Sequence, residues 1–331
     1  MERDCFVYAE EYVMVKKAKR AFQNTLYTND NLYVLSGLNS GFVDLIYLDP
    51  PFNTKRLYTA PAGSKAAGTS FKDTWTRQDV NEAYLETLTN MFPSVLKFIT
   101  AAGEIHGSAM TAYLTFMAQR IVEMRRILKD TGTLYLHCDP TASHYLKIVL
   151  DGIFGKKNFV NEIVWHYHWG LHVATRWNRK HDIILMYAKT GLRNMVFNAE
   201  PVREAYSQTS KMSQDPKWNK SYNDKGKLPE DVWYIPTINA MSKERTGYPT
   251  QKPMELIKRI ILASSNEGDI VLDPFCGCGT TCVAAQQLGR KWIGIDIEKQ
   301  AVEILVQRLS GDTGVFSDFI ATEQIPTRGD R

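Results

Sequence analysis

The stretch Asp269-Ile270-Val271-Leu272-Asp273-Pro274-Phe275-Cys276-Gly277-Cys278-Gly279-Thr280 decides the fold. An apolar run of strand character ends in an acid, a proline and a glycine-rich turn. Thr281 to Leu288 then reads as a helix closed by Gly289. Lys291-Trp292-Ile293-Gly294-Ile295 reads as the next strand, with Asp296 at its end. This is one βαβ unit of nucleotide-binding type. Its glycines let the backbone approach a ligand, and an acid at the end of the second strand can accept hydrogen bonds from ribose hydroxyls. The third glycine of a dinucleotide fingerprint is missing, since Cys282 stands there, and no phosphate loop ending in Gly-Lys-Ser/Thr is present. Cys276, Cys278 and Cys282 fall on a tight turn and a helix start without an evident fourth ligand, so they read as small space-filling residues and no metal is expected. A ligand with ribose and adenine but no phosphate, S-adenosylmethionine, suits glycines and acids of this kind.

Upstream, Val43 to Leu48 is an apolar run stopped by Asp49-Pro50-Pro51-Phe52-Asn53-Thr54. The prolines stiffen the turn and hold Asp49 and Phe52 at the strand's C-terminal end, where open α/β sheets bind ligands. Alone, Asp49 could be a strand-end turn acid and Phe52 a core ring.

The rest of the chain alternates strands and helices, which argues for a mostly parallel sheet. Residues 1 to 28 read as a surface helix, and Asp30 to Leu35 as a short strand. Arg56 to Lys72 reads as a mobile loop beside the site. Helices are expected over Asn81–Ala101 and Ala109–Lys129, the second ended by Gly132, and over Ser143–Phe154. Strands are expected over Thr133–Cys138, Phe159–Trp165 and Asp182–Ala188. His166-Tyr167-His168-Trp169-Gly170-Leu171-His172 lacks metal-ligand spacing and suits a structural or nucleic-acid-contacting loop. Thr250-Gln251-Lys252-Pro253 opens a helix running to about Ser264.

The 331 residues carry a formal net charge of +4, unevenly placed. From Gly155 to Leu262 there are 18 Lys/Arg and 10 Asp/Glu, a net of +8, which leaves the remainder near −4. Such an excess suits a polyanion and equally a solvated surface. Between 190 and 247, however, Tyr206, Trp218, Tyr222, Trp233 and Tyr234 interleave with Lys211, Lys217, Lys220, Lys225 and Lys227, which favours nucleic acid. Mean hydropathy is -0.30, and apolar runs fall far short of the ~18 residues of a membrane span. The start Met1-Glu2-Arg3-Asp4 lacks a signal-peptide pattern, and five cysteines without framework spacing fit a reducing compartment. A cytoplasmic, nucleic-acid-associated protein without membrane contact is expected.

Two of these motifs, in this order, resemble the amino-group DNA methyltransferases, adenine-N6 and cytosine-N4. Asp49-Pro50-Pro51-Phe52 is similar to their catalytic motif, and Asp273 to Thr280 to their cofactor motif. Thr250-Gln251-Lys252-Pro253 resembles the segment that meets the methionine end of the cofactor. The order is that of the circularly permuted β-group, and the match runs from about Asp30 to Leu309. The resemblance implies a Rossmann-like, seven-stranded, mostly parallel α/β sheet with a small target-recognition insert. It divides the chain into 1–189, carrying the catalytic motif, 190–247, the target-recognition region, and 248–331, which binds the cofactor. The strand Asp182–Ala188 looks like the family element before that region, so part of 165–189 belongs with the core.

It further implies S-adenosylmethionine as methyl donor and a flipped-out base in DNA as acceptor. Asp49, Pro50, Pro51 and Phe52 would be catalytic. Asp30, Asp49, Thr250, Lys252, Asp273, Pro274, Phe275, Gly277, Gly279, Thr280 and Asp296 would line the cofactor. Asp30 would face the cofactor's adenine, from a strand beside the one ending at Asp296. Asp in the first position of the catalytic motif is commoner among adenine enzymes, and Ser among cytosine enzymes of this group. Cytosine-N4 methylation is the alternative, and an inactive nucleic-acid-binding module or an RNA or protein substrate lies further off. A homodimer and a cognate restriction endonuclease are partners the resemblance also raises.

Overall fold

The computed structural model describes residues 24–54, 57–61, 63–64, 66–68, 70–168, 173–206, 215, 217, 220, 222–312 and 319–330. Eleven strands lie among them. They are β1 (Thr25–Thr28), β2 (Val43–Leu48), β3 (Leu57–Thr59), β4 (Ser70–Lys72), β5 (Leu128–Cys138), β6 (Phe159–His166), β7 (His181–Ala188), β8 (Val232–Tyr234), β9 (Ile270–Asp273), β10 (Lys291–Asp296) and β11 (Ile320–Thr322). Nine form one sheet in the order β11-β1-β10-β9-β2-β5-β7-β6-β8. The expected seven-stranded core runs across this sheet from β1 to β6, and β11 and β8 extend its two edges. Pairing is parallel except where β7 runs against β5 and β6.

Helices α1 (Asn31–Gly37), α2 (Glu82–Met91), α3 (Pro93–His106), α4 (Ser108–Ile127) and α5 (Ser143–Leu150) supply the core on one face of the sheet. Helices α6 (Met254–Ser264), α7 (Thr280–Gln287) and α8 (Lys299–Asp312) pack on the other, where Ile257, Ile260 and Ile261 are buried. The apolar stripe Tyr113, Met117, Ile121 and Met124 of α4 is likewise core. β1 pairs with β10 in register from Thr25 opposite Ile293 to Thr28 opposite Asp296. The chain's first described strand thus lies beside one of its last, as the permuted order requires.

Several expectations need correction. Asp30 to Leu35 is not a strand: Asp30 caps α1, its carboxylate accepting from Leu32 N at 2.8 Å. The apolar run of four, Leu32 to Leu35, cannot separate helix from strand by periodicity, and the capping acid was the deciding signal. The strand is Thr25–Thr28, within the segment expected to be a surface helix; residues 1–23 of that segment lie outside the described residues. The helix expected over Asn81–Ala101 is two, because Pro93 starts a new helix and Phe92 leaves helical geometry at φ −134°. Gly132 does not end α4; it lies within β5, where a Cβ would meet Asp44 O at 2.8 Å. The helix expected to Phe154 leaves α-geometry after Leu150 in a π-turn, Asp151–Gly155. The loop expected over Arg56–Lys72 contains the antiparallel hairpin β3–β4, and its Ala66 is buried against Cys278 and Ile304.

The region 190–247 is also less separate than its composition suggests. Its β8 joins the main sheet parallel to β6. Trp233 is buried beneath the Arg259 guanidinium, and Tyr206 and Tyr222 stack at 5.3 Å, while Tyr234 stays exposed. Trp218, Lys211 and His172 lie outside the described residues. No described helix is long and apolar enough to cross a membrane.

Candidate active site

A cavity of about 480 Å³ opens at the C-terminal ends of β9, β10, β1 and β2. Both motifs line it. The catalytic-motif residues Asp49, Pro50, Pro51 and Phe52 face one part. Asp30, Thr250, Lys252, Asp273, Pro274, Phe275, Gly277, Thr280 and Asp296 line the remainder. Of the expected site residues only Gly279 is not on the wall. It sits at φ 75° as the cap of α7, and a Cβ there would lie 2.1 Å from Leu305 Cδ1. Its contribution is the turn itself.

That turn is held by the two acids of the βαβ unit. Asp273 accepts from Phe275 N at 3.0 Å and from the Thr281 hydroxyl at 2.6 Å. Asp296 accepts from Gly277 N at 2.7 Å and from Glu298 N at 2.9 Å. Burial, with a smaller contribution from the charges of Asp49 and Asp296, pushes the Asp273 carboxyl up to about 7 against these hydrogen bonds. Burial likewise pushes Asp296 up to about 6. Carboxylates crowded around a cavity destabilise one another's charge, and a cationic ligand would relieve this. Cys276 and Cys282 pack against each other over Gly294, filling the space beneath the turn.

At the catalytic turn, Lys252 Nζ lies 2.5 Å from Asp49 Oδ2 and 5.4 Å from the centre of the Phe52 ring. Lys252, expected among the cofactor residues, thus reaches the carboxylate of Asp49, the residue expected to be catalytic. Thr250, at φ 64°, turns its carbonyl to the same ammonium at 3.4 Å. Asp49 Oδ1 is buried and has no hydrogen-bond partner among the described residues. A buried carboxylate oxygen is a costly feature unless something donates to it, and Asp49 lines the cavity.

The sequence reading missed three supports. Asp73, almost fully buried, receives Asn53 N at 2.6 Å, Thr54 N at 2.8 Å and the Thr54 hydroxyl at 2.5 Å. It anchors the turn just past Phe52, where Asn53 takes φ 61°. A lone acid in a polar segment carried no sign of this. Arg120 is buried on α4 and donates to Asn31 Oδ1 at 2.5 Å and Asp30 Oδ1 at 2.8 Å, while its guanidinium covers the Phe116 ring at 3.2 Å. Asn31 passes the contact on to Pro274 O at 2.7 Å. Burial lowers the Arg120 guanidinium to about 10, with Asp30 opposing. An arginine inside an apolar helical stripe was a legible signal for such a tie. His137, buried in β5, stacks on Phe52 with ring centres 6.0 Å apart.

The fit to S-adenosylmethionine rests on this donor set. The ligand's sulfonium and ammonium are cations, and the wall offers the carboxylates of Asp30, Asp49, Asp273 and Asp296.

Comparison with known proteins agrees. The family model described as DNA methylase matches residues 43–307. Type II methyltransferase M.HpaI of Haemophilus parainfluenzae is 36% identical over 205 residues, which cover 62% of this chain and 62% of M.HpaI. The chain therefore spans less than two thirds of that relative's length. DNA adenine methyltransferase YhdJ of Escherichia coli K12 is 30% identical over 289 residues, 86% of this chain and 82% of YhdJ. TTHA0409 of Thermus thermophilus, a candidate DNA modification methylase solved with S-adenosyl-L-methionine, shares the fold with TM-score 0.52 and 18% identity. That likeness covers 90% of this chain and 99% of TTHA0409.

Proposed function

The chain belongs to the DNA methylase family, and from that premise we propose that it transfers a methyl group from S-adenosylmethionine to the exocyclic N6 amine of adenine in DNA. One observation carries this reading: Asp49, whose Oδ1 has no hydrogen-bond partner among the described residues, lines a cavity shared by both motifs.

Bound S-adenosylmethionine supplies a strongly electrophilic methyl on a sulfonium. Gly277 and the Asp273–Thr280 turn, Asp296, Asp30, Thr250 and Lys252 are the residues that would hold it. The chain's remaining task is to prepare the nucleophile. The lone pair of an exocyclic amine is delocalised into the ring, so the amine attacks poorly. Hydrogen bonds from its two N–H groups to Asp49 Oδ1 and the Pro50 carbonyl favour a tetrahedral nitrogen with its lone pair free. Lys252 fixes the other Asp49 oxygen, so the unpartnered one keeps its direction. Phe52 stacks on the base, which must leave the duplex to arrive there. Positioning and charge complementarity then provide the catalysis, and no covalent bond to the enzyme is required.

Adenine is favoured by Asp at position 49 and by the name of YhdJ. Both amines offer the same hydrogen bonds, so cytosine-N4 transfer is the second reading. The division into 1–189, 190–247 and 248–331 is part of this proposal. The exposed Trp177, flanked by Arg176 and Arg179 on the loop between β6 and β7, suits DNA as well and extends the contact surface ahead of residue 190. A cytoplasmic enzyme acting on the chromosome, a second copy as dimer partner and an endonuclease sharing its target sequence complete the proposal.

The test is incubation of mixed genomic DNA with S-adenosylmethionine, digestion to nucleosides and mass analysis. N6-methyldeoxyadenosine is expected with the wild type and not with Asp49→Ala. N4-methyldeoxycytidine would replace the adenine reading, and no methylated nucleoside would overturn DNA methylation altogether. Sequencing the methylated DNA gives the target sequence.

A further inference from the structure

Beneath Phe52 lies a buried polar chain that none of the motifs accounts for. His137 Nδ1 meets the Tyr47 hydroxyl at 2.9 Å, and Nε2 meets Asp182 Oδ2 at 3.2 Å. The other Asp182 oxygen accepts from the Tyr167 hydroxyl at 3.1 Å. Trp165 meets the imidazole edge-on at 5.4 Å, and its indole N–H is tied to Ile235 O at 2.8 Å. The four polar side chains come from β2, β5, β7 and the residue after β6.

One hydrogen-bond assignment satisfies the whole chain. Burial favours protonated Asp182, but the hydrogen bond from His137, with the charge of Lys252, counters it, and the carboxyl is held below its usual range. An ionised Asp182 only accepts, so His137 Nε2 donates. Burial pushes the Tyr47 phenol well up, so Tyr47 keeps its proton and can donate to Nδ1. The imidazole is thereby fixed in tautomer and in plane.

An apolar side chain would support an aromatic ring at less desolvation cost than a buried His–Asp pair. What the polar pair adds is direction: hydrogen bonds at both ring nitrogens stop the imidazole from turning. Its plane lies 24° from that of Phe52. Lys252, which pairs with Asp49, also acts on Asp182, so the carboxylate and the ring of the catalytic turn refer to the same buried charges.

We propose that His137 and Asp182 are positioning residues for methyl transfer, holding the Phe52 ring at the inclination on which the flipped base stacks. They touch neither base nor cofactor. The inference rests on the methyltransferase reading given above.

The test compares wild type, Asp182→Asn, His137→Gln, Phe52→Ala and the Phe52→Ala/Asp182→Asn double variant. Tyr167→Phe serves as a milder, less buried second probe. The substrate is a duplex carrying the sequenced target with 2-aminopurine at the target position, and an unmodified copy for turnover. Thermal melting and calorimetric binding of S-adenosylmethionine establish that each variant is folded. Asp182→Asn is expected to bind the cofactor within about twofold of wild type and to lose roughly 10- to 100-fold in kcat. The quenching of 2-aminopurine that stacking on Phe52 produces in wild type should be lost in Asp182→Asn. The double variant should match Phe52→Ala in fluorescence, because there is no ring left to position. Quenching and kcat equal to wild type in folded Asp182→Asn and Tyr167→Phe overturn the proposal. So does an equal fluorescence change on adding Asp182→Asn to Phe52→Ala. Failure of the wild type to methylate the unmodified duplex instead sinks the methyltransferase reading.

Discussion

Lys252 and Asp49 stand 203 positions apart in the chain, yet their side chains meet at 2.5 Å, both largely buried. The pair joins the segment ahead of α6 to the turn after β2. Breaking a buried pair leaves one uncompensated charge, at a cost of about 3–5 kcal/mol. Lys252→Met should therefore lower Tm by several degrees and methyl transfer by roughly two orders of magnitude or more. Adding Asp49→Asn should recover most of the melting temperature and none of the activity. A Lys252→Met variant that melts and turns over like wild type would remove the pair from the account.

Asp73 satisfies two backbone N–H groups and one hydroxyl at the Asn53–Thr54 turn. Asp73→Ala leaves those donors unpaired and should destabilise by about 2 kcal/mol or more. The larger effect is expected on turnover, since Phe52 precedes the freed turn. Thr54→Val, which removes only the hydroxyl, should cost much less in both. Melting curves and initial rates measured side by side check this ordering.

Cofactor affinity should depend on pH through Asp296 and Asp273, raised to about 6 and about 7. Both folded values lie above the ordinary 3.8 of an aspartate carboxyl. The free enzyme therefore loses stability from these groups as pH rises from about 4 toward each folded value. A cationic ligand prefers the ionised carboxylates, so binding must expel protons at low pH. Calorimetry should show affinity falling below about pH 7, more steeply below about pH 6, with proton release in that range. Affinity flat from about pH 5.5 to about pH 8 would count against the contact.

Gly279→Ala introduces a side chain at φ 75°, which costs about 1–2 kcal/mol, and a clash with Leu305 besides. The variant should melt lower and bind S-adenosylmethionine poorly. Adding Leu305→Ala should relieve the clash and leave the backbone strain, so recovery should be partial. Full recovery would mean that the backbone conformation is not the constraint.

Trp177 is 96% exposed beside two arginines. Trp177→Ala should weaken DNA binding by roughly 1–3 kcal/mol if a base stacks there, with cofactor affinity unchanged. Fluorescence titration with target duplex at two salt concentrations would show whether the loss persists when phosphate contacts are screened.

The local alphabet of the chain by itself determined the two chemical turns. Asp-Pro-Pro-Phe can only end a strand, because proline cannot continue it, and the turn at 273–280 needs glycine at the two positions of positive φ, Gly277 and Gly279. Those constraints act within a few residues, so they are legible in a linear text, and the order of the two turns carries the resemblance on which the proposed cofactor and reaction rest. Short apolar runs were legible only in part: Asp30 to Leu35 fits helix and strand alike until its cap is seen. Only the tertiary structure decided what surrounds the turns. Whether Lys252 meets Asp49, whether Asp73 or another acid anchors Asn53, and whether His137 lies under Phe52 all depend on which strands neighbour one another. Strand order brings together residues of β2, β5, β7 and the segment before α6, and no local preference of the backbone specifies that meeting.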